Sequence, residues 1–145
     1  MARAHRYPRL ILAVVCLPVF IGALVLLQIH RAWAWFVVIG NGLAGAWALG
    51  AHALPALRSR ALWWFTVIAE LTIFVQAGLG VALVNKDKLE PQQFHLFYGF
   101  VAIIAVGILY SYRSTSPWVR QHQYLVYGLG SLFLMGLGIR AFLKA

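Results

Sequence analysis

The stretch Ala61–Val84, ALWWFTVIAELTIFVQAGLGVALV, decides the fold. It runs for 24 residues with one charge, Glu70, and no proline. At about 1.5 Å rise per residue a helix of this length crosses a hydrocarbon core of about 30 Å. Its apolar residues do not alternate with polar ones, so it does not read as a strand of a membrane barrel. Helix is the state left, because backbone exposed to lipid must satisfy its own hydrogen bonds.

Composition extends this reading to the whole chain. Of 145 residues 63% are hydrophobic and 10% are charged, against about 25% charged in an ordinary soluble domain. That much apolar surface excludes a water-soluble globule, and its hydrophobicity excludes disorder. A single cysteine, Cys16, excludes a disulfide scaffold. The net charge of +9 is spread along the chain. It reads as contact with anionic lipid, not as a nucleic-acid surface.

Outward from Ala61–Val84, four more stretches qualify as crossings: about 10–29, 33–54, 94–112 and 121–139. The expected fold is an all-α bundle of five transmembrane helices, forming one domain over 1–145. A near-bare corner is expected at His30-Arg31, and short links at 55–60, 85–93 and 113–120. The first stretch, with its basic start, is too long for the apolar core of a cleaved signal peptide. Gly-Leu-Gly occurs at 78–80 and 136–138, and each of these two helices follows an Arg-Ser pair (Arg58-Ser59, Arg113-Ser114). This suggests two parallel helical hairpins with the first helix appended.

Five crossings put the termini on opposite sides. With the N-terminus cytoplasmic, seven Lys and Arg face inward and five outward, in the sense of the positive-inside rule. The expected location is the cell membrane, with the C-terminus outside.

Apolar area drives helix association weakly in lipid, so small and polar residues mark the contacts. The expected packing positions are Gly42, Ala46, Gly50, Gly80, Gly99 and Gly128. Glu70 lies ten residues past Arg60, about 15 Å into the membrane. A bare carboxylate there is costly, so it is expected to be protonated or tied to a partner. Asn41, Gln76 and Ser131 complete an expected intramembrane polar cluster with it.

Histidines supply the remaining chemistry. His52 and His122 fall on the inner side of the five-crossing layout, and His30 and His95 on the outer side. Two histidines on different helices at one depth are candidate axial ligands for haem b. In outline, a bundle with histidines near both faces resembles cytochrome b561-type bundles, which implies haem held between helices. The likeness rests on single histidines and not on a longer motif. Other chemistries lack residues: no C-x-x-C-H, H-E-x-x-H or phosphate-binding G-x-x-x-x-G-K-[ST] occurs, and no lysine lies within a crossing.

Three functions fit. The first is a non-catalytic accessory subunit, packed against other membrane chains or copies of itself. The second is a b-type haem-binding electron carrier. The third is a small transporter or proton-conducting unit centred on Glu70. No constellation supports an enzyme.

Overall fold

The computed structural model describes the backbone of residues 7–87 and 92–144, and the side chains of 21–85 and 92–144. Among these residues there is no strand. The chain is a helical membrane bundle, with four helices long and apolar enough to cross a bilayer. Five α-helices are present: α1 (Tyr7–Ala53), α2 (Arg60–Asp87), α3 (Gln93–Thr115), α4 (Pro117–Gln121) and α5 (Gln123–Leu143). Five is the expected number, but the cuts fall elsewhere.

The expected corner at His30-Arg31 is absent, and α1 runs through it as one helix of 47 residues. Polarity was the only sign of a corner. Arg31, Ala32 and Ala34 are good helix formers, and no glycine or proline interrupts 23–39. At 1.5 Å per residue α1 is about 70 Å long, more than twice the hydrocarbon thickness. Stretches 10–29 and 33–54 therefore lie end to end and not side by side. The opposite-sided termini rested on two crossings there and lose that support. The fifth helix is α4, a single turn inside the link expected at 113–120.

Arginine and serine shape the turns. Arg58 reaches back to the end of α1, where its Nε donates to the Ala51 carbonyl (2.9 Å) and its Nη2 to that of His52 (3.3 Å). A cation there complements the negative end of the helix dipole. Ser59 caps α2 by accepting from the Leu62 amide (3.2 Å), and Ser116 caps α4 by accepting from that of Val119 (3.4 Å).

Four helices form a ring in the order α2, α1, α5, α3. The α1–α5 seam is the tightest, followed by α1–α2 and α3–α5, while α2 and α3 touch sparsely. The hairpins α1–α2 and α3–α5 are thus both present as packed pairs. Across the ring, the backbones of α1 and α3 do not come close among the described residues, and those of α2 and α5 barely meet.

Glycine sets the α1–α5 seam. A Cβ built on Gly45 would stand 2.9 Å from the Gly128 carbonyl oxygen, and one on Gly128 would stand 3.0 Å from the Leu49 nitrogen. Gly42 faces the Met135 sulfur at 2.8 Å in the same sense. Backbones this close gain dispersion contact, which is the main adhesive in lipid. Gly50 packs against Leu57 within its own turn. Ala46, expected in this seam, is exposed; the buried line on α1 is Val37, Asn41, Ala44, Ala48 and Ala51. Helical spacing drifts one residue away from the small-xxx-small stripe.

The two ends of the bundle are built differently. One end, here the arginine end, joins α1 to α2 and α3 to α5 and carries Arg58, Arg60, Arg113 and Arg120. The other, the cavity end, holds His30, the start of α3 and the end of α5.

Candidate functional site

At the cavity end the four helices splay around a space of about 690 Å³. Its wall is mostly apolar and includes Val37, Ile73, Ala102, Leu134 and Leu137. Gly80, Gly99 and Gly138 also line it. A Cβ on Gly99 would meet nothing within 4 Å, so this glycine keeps space open and does not pack helices as expected. Gly80 lies against His30, whose Cε1 would be 3.3 Å from a Cβ there.

Two imidazoles face each other across this space. His30 comes from α1 and His95 from α3, the diagonal pair whose backbones do not come close among the described residues. Their ring centroids are 5.9 Å apart and the planes cross at 63°. Each ring is held by a neighbour. The Nδ1 of His95 lies 2.9 Å from the Ala141 carbonyl on α5. A carbonyl only accepts, so this nitrogen carries the proton and Nε2 keeps its lone pair.

The Nε2 of His30 lies 3.3 Å from the Gln76 side-chain nitrogen on α2. In that orientation the Gln76 oxygen and the His30 Nδ1 are both buried without partners. Turning the amide over lets Nε2–H donate to the oxygen and leaves Nδ1 as a bare acceptor. Each histidine then has one nitrogen anchored and one without a hydrogen-bond partner, that of His30 being buried. Metal-ligating histidines are held in the same manner, with the second nitrogen tied to a carbonyl.

The spacing suits a shared metal ion. Imidazoles bonded to opposite sides of one ion at about 2 Å have centroids roughly 6 Å apart. Among the described residues no group of three or more His, Cys, Asp or Glu is gathered, so these residues alone do not supply a metal cage. A metal here needs its remaining ligands from elsewhere. Arg31 and Asn85 stand on the lining of the same space and offer a cation and an amide to an acidic group.

The other two candidate histidines lie at the arginine end. His52 is exposed, and only its carbonyl is used, by Arg58. His122 stacks on Trp118 at 4.6 Å, and its Nδ1 approaches the Trp118 carbonyl at 3.0 Å. The pairing of inner histidines expected from depth is not formed: α1 turns His52 outward, and His122 lies in the turn between α4 and α5, stacked on Trp118.

The expected polar cluster divides. Gln76 belongs with His30 in the cavity. Asn41, Glu70 and Ser131 lie deeper, each at most 1% exposed. Asn41 Nδ2 donates to the carbonyls of Val37 (2.9 Å) and Ala69 (3.1 Å), and the second bond ties α1 to α2. Trp33 makes a similar tie, its indole donating to the Thr72 carbonyl at 3.0 Å. Sequence alone does not tell such a strut from a tryptophan at the membrane interface, and the role of Trp33 was missed.

Four further residues went unnoticed as a group. Arg113 lies 4.8 Å above the Trp63 ring and 5.7 Å from that of Tyr127, and Tyr110 meets Tyr127 edge-on at 5.8 Å. Tyr127 sits one helical turn before Ser131, a spacing that would have exposed the pairing. Tyr110 also lines a smaller gap between α2 and α3 that Glu70 borders.

No protein-family model, curated protein or solved structure matches the chain. What the chain itself shows is a helical membrane bundle holding two opposed imidazoles over an apolar chamber.

Proposed function

We propose that this protein is a b-type haem-binding electron carrier of the membrane, with His30 and His95 as the axial ligands. The observation that carries the reading is the 5.9 Å approach of two anchored imidazoles across a cavity of about 690 Å³. A porphyrin supplies the four equatorial nitrogens that the chain lacks, and its flat apolar ring suits walls of Leu, Ile, Val and Gly. Cavities that enclose organic ligands are typically about 300–1,000 Å³.

The chain's own residues divide the work. His30 and His95 hold the iron from the two sides. Gln76 and the Ala141 carbonyl orient the two rings and raise their basicity as ligands. Gly99 leaves the ring its place, and Arg31 pairs with a propionate at the mouth. The haem supplies the one-electron redox change. Iron held there lies nearer the cavity end, so electron partners dock at that end of the bundle. The accessory-subunit expectation draws on no particular side chain and gives way to this reading.

The test is a visible spectrum of the full chain purified from haem-replete cells. A Soret band is expected, with reduced α and β bands of a low-spin, bis-imidazole haem. His95→Ala and His30→Ala lose it, while His52→Ala and His122→Ala keep it. A folded, colourless protein would sink the proposal.

A further inference from the structure

Five oxygen atoms in the middle of the bundle are buried without a partner. They are both carboxyl oxygens of Glu70, Oδ1 of Asn41, and the hydroxyls of Tyr127 and Ser131. Their residues are 0–1% exposed and come from three helices. Native interiors leave few such groups unpaired, and a gathering of them marks ordered water that protein atoms alone do not show.

The packing strings the group toward the arginine end: Asn41 and Glu70 stand level, Ser131 lies about one turn further and Tyr127, edge-on to Trp63, about two turns. Asn41 bonds the carbonyl of Ala69, the residue before Glu70. Gly42 faces Met135, one turn past Ser131, and Gly45 faces the Gly128 carbonyl, beside Tyr127. Helices α2 and α5 are diagonal in the ring and scarcely meet, so their backbones stand apart between the Glu70 side and the Ser131 side.

The two directions away from this group differ. Toward the cavity, a buried cluster that includes Val37, Ile73, Val106, Leu134 and Leu137 blocks the way with apolar groups. Toward the arginine end, Tyr127, Tyr110 and Arg113 continue the polar line. Those are the titratable and charged groups around Glu70: Tyr110 and Arg113 on α3 and Tyr127 on α5, with α1 contributing the neutral Asn41. Among the described residues Glu70 has no ion pair, and an unpaired carboxylate at this depth is costly; the neutral acid is the form that fits.

We propose that Glu70, Asn41, Tyr127 and Ser131 enclose a water-filled proton-exchange site, open to the arginine end and closed toward the cavity. In each exchange the Glu70 O–H bond breaks as the proton passes to a water, and a proton from the Tyr127 side restores it. Net charge does not change. This site is independent of whether the cavity holds haem.

Infrared spectra of the full chain in lipid nanodiscs test it. A neutral-carboxyl C=O band assigned by its loss in Glu70→Gln is expected to shift to lower frequency within minutes of transfer to D2O. In Tyr127→Phe the shift is expected to be slower by roughly a hundredfold, the lower end of what a positioned proton-transfer group contributes. A band that holds its position for hours, one that shifts as fast in Tyr127→Phe, or no neutral-carboxyl band at all would overturn the proposal.

A second reading does not depend on Glu70 or Tyr127. In a Cys16→Ser background, Ser131→Cys is expected to react with a charged thiol reagent and Leu134→Cys to resist it. Equal inertness of the two would also overturn the proposal.

Discussion

The two ends of the bundle use the same residue type for opposite purposes. Toward the arginine end, Gly45 and Gly128 let α1 and α5 approach until a methyl group would strike backbone. At the cavity end, Gly99 faces space that a methyl group would not fill. One glycine pair closes the bundle and the other glycine keeps it open. In a soluble core an open space of this size would collapse or fill with water. In a membrane bundle, helix ends held by the tight seam can splay without exposing backbone. The closed end supplies stability and the open end supplies a site.

Substitutions can separate the two ends. The largest effect is expected for His95→Ala: complete loss of the haem spectrum with the thermal unfolding midpoint of the haem-free protein unchanged. Gly99→Leu is expected to do nearly the same by filling the chamber, because nothing in the protein blocks the new side chain. If haem binding survives Gly99→Leu, the cavity is not where the ring sits.

Next is Gln76→Leu, which removes the group that orients His30. Loss of such a supporting bond lowers affinity by about 10–100-fold. A haem titration of the apoprotein measures it, and an unchanged affinity would detach Gln76 from the site.

At the closed end the effect moves to stability. Gly128→Val is expected to cost about 1–3 kcal/mol in unfolding, the range for overpacking a filled interior. The mirror substitution Gly136→Val meets nothing within 4 Å and is expected to be near neutral. Equal costs for the two would erase the contrast between seam and open surface.

The smallest expected change is Asn41→Leu, which cuts the tie from α1 to the Ala69 carbonyl. Interhelical hydrogen bonds in membranes average about 0.6 kcal/mol and reach about 1.7. Steric trapping or denaturant unfolding in detergent resolves that range.

Some of this site was legible early and some was not. Glu70 stands out because it is the only carboxyl in a long apolar run, and its burial follows from cost alone. His30 and His95 were legible as a pair sharing one side, since depth follows from counting residues. That they face each other was not legible, because rotation about each helix axis and the ring order of the helices set the direction of a side chain. His52 shows the limit: it has the right depth and residue type, yet its helix turns it outward. The run through His30-Arg31 was missed because polarity resembles a turn, while helix continuity depends on the absence of a breaker.

Hydrophobic composition and run length by themselves determined that lipid is the solvent and helix the state, since a bilayer leaves the backbone no other economy of hydrogen bonds. They also set the depth of each polar residue, because helix rise is constant. Only tertiary structure decided which helices are neighbours, where the glycines close the seam, and which two histidines meet. Those choices depend on contacts between segments far apart in the chain, where side-chain shape and backbone approach act jointly and no local pattern records them.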